Sequence, residues 1–159
     1  MGETRVGRHL GAPPERVYRA LTSADDVVRW KVPGGMTSRV HHFEGWEGGT
    51  FRVSLTYDAT DRQGKTAAHT DTYRGRFERL VPGEMVVEVD EFETDDPAFR
   101  GAMTITVTLS ATADGGTDLL AVHEGLPPGV APADNELGWT EALARLAALV
   151  ESPGISGTA

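Results

Sequence analysis

The sequence predicts a single α+β domain with a helix-grip fold, in which a curved antiparallel sheet of about six to seven strands surrounds a long C-terminal helix. Three observations lead to this prediction. Apolar and polar residues alternate with a period of two in several segments, most clearly over 101–111. Short turn sequences join these segments, which favours antiparallel neighbours. Apolar residues then recur at helical spacing over 133–151, the one predicted helix long enough to cover a face of the sheet.

The N-terminal part of the chain predicts one strand followed by two short helices. The strand covers 4–10, and Ala12-Pro13-Pro14-Glu15 opens the first helix, because proline is tolerated in the first turn, where its missing N–H has no intrahelical partner. A second helix starts at Ser23 and carries Trp30 near its end, before Pro33 and two glycines stop it. Two short helices in this position can close one end of the sheet.

The middle of the chain predicts the remaining strands of the sheet. Their bounds, read from alternation and turn residues, are 36–43, 50–57, 66–80, 85–92, 101–111 and 117–124. We expect a hairpin loop over 58–65 and a tight turn at 114–116, where an aspartate precedes two glycines. Beyond the long helix, we expect a disordered tail over 152–159.

Composition excludes several classes of function. Asp and Glu outnumber Lys and Arg by 24 to 15, and the resulting net charge of −9 repels phosphate backbones and anionic membranes. No apolar run is long enough to cross a bilayer, and the first residues lack the apolar core of a secretory signal. The absence of cysteine removes disulfides and thiolate chemistry. We therefore expect a cytoplasmic protein with no nucleic-acid partner and no membrane partner.

A curved sheet around a helix is difficult to fill with side chains, so we expect a cavity at the interface between them. Large residues, most of them on predicted inward faces, are its candidate lining, and tyrosine hydroxyls there can bind a polar group of a ligand. These candidates are Trp30, Tyr57, Tyr73, Met103, Trp139 and Leu143. Stripes of large apolar and aromatic residues are more often plain core, so core packing is the alternative interpretation for each of them.

One carboxylate is a candidate for acid–base chemistry inside that cavity. Glu91 shares strand parity with Val87 and Val89, and a carboxylate on an apolar concave face would have a raised pKa. The alternative is that the strand is ending at this point, so that Glu91 and its acidic neighbours are already in water.

Two histidines are further candidates. His69 shares a strand face with Asp71 and Tyr73, which suggests a proton relay, or else a solvent-facing pair at the end of a hairpin. His123 precedes Glu124, but neighbouring strand residues point to opposite faces, so the two cannot act together on one substrate. Both parity sets of this strand are apolar, which leaves open which of the two faces inward. The alternative is a pair that orders the loop into the last helix.

Neither a metal nor a cofactor is expected. Zinc sites need at least three protein ligands, and no spacing in the sequence assembles them. The glycine-rich segment 45–49 lacks both the phosphate-binding and the dinucleotide-binding patterns, and no Gly-x-Ser-x-Gly nucleophile elbow is present.

The order of elements and several local motifs resemble a known family. The matching segments, from about Arg5 to Glu151, are 12–22, Trp30, 48–52, 73–75, 79–82, 123–127, Gly138-Trp139 and 143–149. In them the chain looks most like the homologues of the activator of the heat-shock protein 90 ATPase, within the superfamily of START, polyketide-cyclase and birch-pollen-allergen-like domains. The resemblance implies a helix-grip fold, whereas its members range from ligand carriers and cyclases to stress-related proteins.

The resemblance does not imply a chaperone partner. The eukaryotic co-chaperone that lends the family its name has an additional domain without a counterpart here, so we do not expect activation of a chaperone ATPase. A homodimer formed through a sheet edge or a helix is possible in such domains.

Three functional hypotheses follow from these features. The leading one is binding of a small hydrophobic molecule, such as a lipid, a polyketide-like aromatic or another apolar metabolite, without catalysis. The second is a cyclase- or hydrolase-like enzyme that uses a cavity carboxylate or histidine. The third is an interaction module for a chaperone or another protein, which predicts an exposed apolar patch instead of a deep cavity.

Overall fold

The structure, a computed structural model, describes residues 2–57 and 70–151. In chain order, the elements of these residues are β1 (Gly2–Leu10), α1 (Pro14–Thr22), α2 (Ala24–Trp30), β2 (Met36–Phe43), β3 (Thr50–Tyr57), β4 (Thr70–Val81), β5 (Met85–Phe92), β6 (Met103–Ala111), β7 (Thr117–Leu126) and α3 (Pro132–Glu151). This order is the predicted one. The predicted hairpin loop, the first four residues of the predicted strand 66–80 and the predicted tail lie outside the described residues.

The strands form one antiparallel sheet in the order β1-β7-β6-β5-β4-β3-β2. Strands β2 to β7 are a meander, in which each strand pairs with its neighbour in sequence. Strand β1 pairs with β7 instead, so the first two strands lie at opposite edges of the sheet. Helices α1 and α2 connect these two edges, and α3 covers the sheet from the same side. The prediction of a helix-grip α+β fold is therefore confirmed.

The core lies between the sheet and the helices because each element has one apolar face. In β6 the alternating residues Met103, Ile105, Val107 and Leu109 are buried. Helix α3 buries a stripe at helical spacing, namely Ala142, Leu143, Leu146, Ala147 and Val150. Burial of one leucine side chain stabilises the fold by about 1.5–3 kcal/mol, so this stripe holds the helix against the sheet.

Two of the three irregularities in the described strand pairing lie within the meander. The pairing of β2 with β3 shifts between Val40 and His42, and the pairing of β4 with β5 shifts between Phe77 and Arg79. An extra residue in one strand increases local twist and bends that strand. Within the described residues, no helix is both long enough and apolar enough to cross a membrane.

Candidate functional site

A cavity of about 460 Å³ lies between the concave face of the sheet and helix α3. Strands β2 to β7 supply the sheet side of this cavity, and the N-terminal half of α3 supplies the other side. The segment after α2 and the segment 129–131 before α3 complete the wall. Glu141 of α3 accepts a hydrogen bond from the backbone N–H of Gly34 at 2.9 Å, which ties the segment after α2 to the helix.

Four of the six candidate lining residues named from the sequence line this cavity. They are Tyr57 on β3, Tyr73 on β4, Met103 on β6 and Trp139 on α3. Tyr73 is buried and stands edge-on to Phe51, with ring centroids 6.2 Å apart. The wall therefore combines aromatic surface with the sulfur of a methionine, a lining suited to flat or aliphatic molecules.

Trp30 and Leu143 do not line the cavity, contrary to the sequence-based expectation. Both are packed in the hydrophobic core, where Trp30 is 2% exposed and Leu143 is 1% exposed. The indole N–H of Trp30 donates to the backbone oxygen of Ala20 at 2.8 Å, which joins α2 to α1. These two side chains are enclosed because α1 and α2 cover that part of the concave face.

Glu91 is also outside the cavity, because the residues of β5 that face helix α3 belong to the parity set that does not contain Glu91. The buried residues of β5 are Val86, Glu88 and Asp90, not the set that contains Glu91. Glu91 instead accepts a hydrogen bond from Arg74 at 3.0 Å on the solvent side of the sheet. Of the two interpretations left open for Glu91, the structure agrees with the one that places this carboxylate in water.

His69 lies outside the described residues. Asp71, its predicted partner on the same strand face, is 2% exposed and lines the cavity. The described part of β4 thus turns a carboxylate inward beside Tyr73, as the strand parity predicts.

A buried ion pair joins the segment after α2 to the sheet. Lys31 Nζ donates to Glu88 Oε1, and the two side chains are only 16% and 6% exposed. The same ammonium group lies 5.5 Å from the ring centroid of Phe51 and 5.7 Å from that of Tyr73, distances typical of cation–π contacts. Burial is the largest single influence and lowers the pKa of Lys31, but the charge and hydrogen bond of Glu88, together with Tyr73 and Asp90, outweigh it, so the net pKa is raised.

Asp90 is the second buried acid of β5 and lines the cavity. Its pKa is raised well above the usual range by burial and by the negative charge of Glu88, while the charge of Lys31 acts in the opposite direction. Gly75 is its partner on β4, and a Cβ atom at that position would lie only 2.5 Å from Asp90 Oδ1. The missing side chain at position 75 therefore makes room for the carboxyl group.

His123 is buried in the cavity wall and makes three contacts through its ring nitrogens. Trp139 Nε1 donates to Nδ1 at 3.2 Å, and Asn135 Nδ2 lies 3.2 Å from the same nitrogen. On the other side, Nε2 lies 3.2 Å from the sulfur of Met103. Because Nδ1 accepts from the indole, this network assigns the proton to Nε2. The network joins β6 and β7 to α3 and holds Trp139 against the cavity.

The network requires a neutral imidazole. Burial first, and the positive charge of Lys31 second, lower the pKa of His123 from 6.5 to about 4. At neutral pH the ring therefore carries no charge. Both nitrogens are already engaged, which favours a positioning role for His123 over proton transfer to a ligand.

This lowered pKa predicts a loss of stability in acid. The contribution of neutral His123 is fully present above pH 6.5 and is lost as the pH falls toward about 4, because the unfolded state takes up the proton first. We expect the free energy of unfolding to fall by about 3 kcal/mol from this group between pH 7 and pH 4. Urea titrations of the wild type and His123→Asn across that range measure it. Parallel pH profiles for the two proteins would contradict the prediction.

Sequence reasoning missed Lys31, Glu88, Asp90 and Asn135 as site residues. None of them gave a usable signal. Asp90 shares strand parity with Val86 and Glu88, and the opposite parity set of β5, with Met85, Val87 and Val89, is the more apolar of the two. Lys31 gives no local signal, because its partner Glu88 is 57 positions away in the chain. Within 2–57 and 70–151, no three His, Asp or Glu side chains are grouped to hold a metal ion.

Comparison with known proteins identifies relatives over almost the whole chain. The family model described as Activator of Hsp90 ATPase homolog 1-like protein matches residues 11–151. The crystal structure of protein CV1439 from Chromobacterium violaceum is 35% identical in sequence, with a TM-score of 0.84. That match covers 94% of this chain and 97% of the other. A search of curated proteins found no match.

More distant structures share the fold alone. The AHSA1 protein from Silicibacter pomeroyi is 16% identical, with a TM-score of 0.76 over 94% of this chain and 98% of that one. DynU16, a protein in the dynemicin biosynthetic locus, is 20% identical, with a TM-score of 0.65. That match covers 94% of this chain but 47% of DynU16, so the chain spans about half of that protein.

Proposed function

The chain belongs to the Activator of Hsp90 ATPase homolog 1-like family, and from this premise we propose that it binds a small, largely apolar molecule in the cavity between its sheet and helix α3. The fold of this family generally acts as a scaffold for ligand binding. The observation that carries the proposal is the cavity itself, with its volume of about 460 Å³ and its aromatic lining. Pockets for small molecules typically measure about 300–1,000 Å³.

The chemistry of the wall supports an apolar ligand with few polar groups. Leu55, Phe92, Ile105 and Trp139 supply aliphatic and aromatic surface on both sides of the cavity. Transfer of such a ligand from water gains about 25 cal/mol for each Å² of apolar surface buried, so even a two-ring molecule gains several kcal/mol. Polar side chains also line the wall, on strands β3, β4, β5 and β7 and on helix α3, and such groups fix the orientation of a ligand in an otherwise apolar site.

The exposed surface offers less support for a protein-interaction module. Among the described residues, the exposed large apolar side chains are Trp46, Leu120 and Leu137. They lie on three different elements, namely the β2–β3 connection, strand β7 and helix α3. Single exposed apolar residues are common on soluble proteins and do not make an interaction patch.

A neutral fluorescent probe tests the proposal directly. We expect N-phenyl-1-naphthylamine, an uncharged aromatic amine whose emission rises in apolar surroundings, to bind with a stoichiometry of one. Ala142 lines the cavity and is 5% exposed, so Ala142→Leu places three carbon atoms in the space that the probe needs. We expect this variant to bind the probe at least about tenfold more weakly, a loss of about 1.4 kcal/mol.

Ala144→Leu is the matched control, because Ala144 lies on the same helix but faces solvent. It adds the same three carbon atoms outside the cavity and is expected to keep the wild-type affinity. Absence of saturable binding to the wild type, or equal affinities for Ala142→Leu and the wild type, would contradict the proposal.

A further inference from the structure

Strand β5 turns two carboxyl groups toward the cavity side of the sheet. Glu88 and Asp90 are each 4% exposed, although most buried positions on this face are apolar. Carboxylates are rarely this buried unless they are paired or serve a ligand. The two acids therefore need separate explanations from their surroundings.

Glu88 is explained by Lys31. The ammonium group donates to Glu88 Oε1, and the rings of Phe51 and Tyr73 lie beside it. This ion pair ties the segment after α2 to β5. Glu88 does not line the cavity, and its role is accounted for within the protein.

Asp90 is not explained in the same way. Its buried Oδ1 atom has no hydrogen-bond partner among the described residues. Its partners in the sheet are Gly75, which has no side chain, and Met103, whose thioether has no hydrogen to donate. A buried polar atom left without a partner costs about 1–3 kcal/mol, so a carboxyl group in this position calls for a reason.

The protonation state of Asp90 defines what it can bind. Burial and the charge of Glu88 raise the pKa of Asp90, which favours the neutral acid. A neutral carboxyl group has one O–H donor, and that of Asp90 lies in the wall of the cavity. A carboxylic acid kept neutral by an apolar site can donate a hydrogen bond to an oxygen of a bound molecule.

We propose that Asp90, flanked by Lys31, Tyr73 and Met103, forms a subsite for an uncharged carbonyl oxygen of the ligand. This inference deepens the proposed function and rests on it. The ligand is then an apolar molecule with at least one ketone, aldehyde, ester or amide carbonyl, held with that oxygen toward strand β5. The subsite gives the cavity a preferred ligand orientation, since Tyr73, Phe92 and Met103 supply apolar surface beside Asp90.

Charged ligands fit this subsite poorly. Asp71, Asp134 and Glu141 also line the cavity, whereas Lys31 is the one lysine or arginine among its described lining residues and is paired with Glu88. An anionic ligand would meet these carboxylates without a free cation to compensate it. A cationic ligand would approach Lys31 at short range when it reached Asp90.

Probes of one size separate the alternatives. We propose calorimetry at pH 7 with 2-acetylnaphthalene, which has a ketone, 2-ethylnaphthalene, which has the same carbon skeleton without the oxygen, and 2-naphthoate, which is an anion. We expect the ketone to bind about tenfold more tightly than the hydrocarbon, and 2-naphthoate to bind more weakly than either. In Asp90→Leu, the ketone and the hydrocarbon are expected to bind equally.

Asp90→Asn adds a second readout. Its amide keeps a donor at every pH, so its preference for the ketone is expected to be independent of pH. In the wild type, the preference falls as the pH rises through the pKa of Asp90, because the carboxylate has no donor. Lys31, Glu88, Asp71, Tyr73 and His123 also line the cavity or border Asp90, and they are common to both proteins, so the difference isolates Asp90.

The outcomes distinguish this inference from the proposed function. Equal binding of the ketone and the hydrocarbon by the wild type, or an unchanged preference in Asp90→Leu, would overturn the carbonyl subsite and leave apolar binding intact. Failure of every naphthalene probe to bind would overturn both. An unstable Asp90→Leu protein would leave the pH profile of Asp90→Asn as the deciding measurement.

Discussion

Lys31→Met is expected to lower the free energy of unfolding by about 3–5 kcal/mol, because it leaves the carboxylate of Glu88 buried without its partner. Methionine preserves most of the length and volume of the lysine side chain, so the loss reports on charge and not on packing. Urea denaturation at pH 7, with the midpoint and slope both fitted, measures the change.

The double variant Lys31→Met with Glu88→Met is the control for this prediction. It removes both charges, and replacing a buried ion pair by apolar side chains of similar volume is often neutral or stabilising. We therefore expect the double variant to be more stable than either single variant. If the loss of stability in the double variant equals the sum of the losses in the two single variants, the two side chains do not act as a pair.

Trp30→Ala is expected to cost a similar amount, about 3–5 kcal/mol, because it empties a fully enclosed site in the core. The ring centroids of Trp30 and Trp139 lie 6.4 Å apart, and the indole N–H of Trp30 donates a hydrogen bond to the backbone oxygen of Ala20. The variant therefore removes both the contact between α2 and α3 and the bond between α2 and α1. Thermal or urea unfolding measures the loss.

Trp30→Phe distinguishes a core residue from a ligand contact. It keeps an aromatic ring but leaves the oxygen of Ala20 without its donor, at an expected cost of about 1–3 kcal/mol. Its affinity for N-phenyl-1-naphthylamine is expected to match the wild type, because Trp30 does not line the cavity. A change in affinity without a change in stability would assign Trp30 to the ligand site after all.

Strand parity was readable from the sequence where one parity set is apolar and the other is polar. Strand β6 is the clear case, since Met103 and Ile105 alternate with threonines, and both are buried as the pattern predicts. In β5 both parity sets contain valines, so the pattern alone does not say whether Asp90 or Glu91 faces inward. A shift of one residue moves a side chain to the other face, so ambiguity of this kind misassigns the site.

The histidine on β7 shows the same limit in a different form. His123 and Glu124 each belong to an apolar parity set, and the sequence left both orientations open. The buried position of His123 is stabilised by Trp139 and Asn135 from α3, more than ten residues further along the chain. Contacts at that separation leave no periodic signal in the residues around either partner.

The amino-acid sequence by itself determined the fold class, the order of the elements and the pairing of α3 with a curved sheet, because these depend on hydrophobic periodicity and turn residues that act over a few positions. Only the tertiary structure decided which side chains reach the cavity. Lys31 meets Glu88, Asp90 lies over Gly75, and Trp30 is enclosed in the core because of how distant segments pack together. Charge compensation and space for a side chain depend on neighbours in three dimensions, which local patterns do not encode.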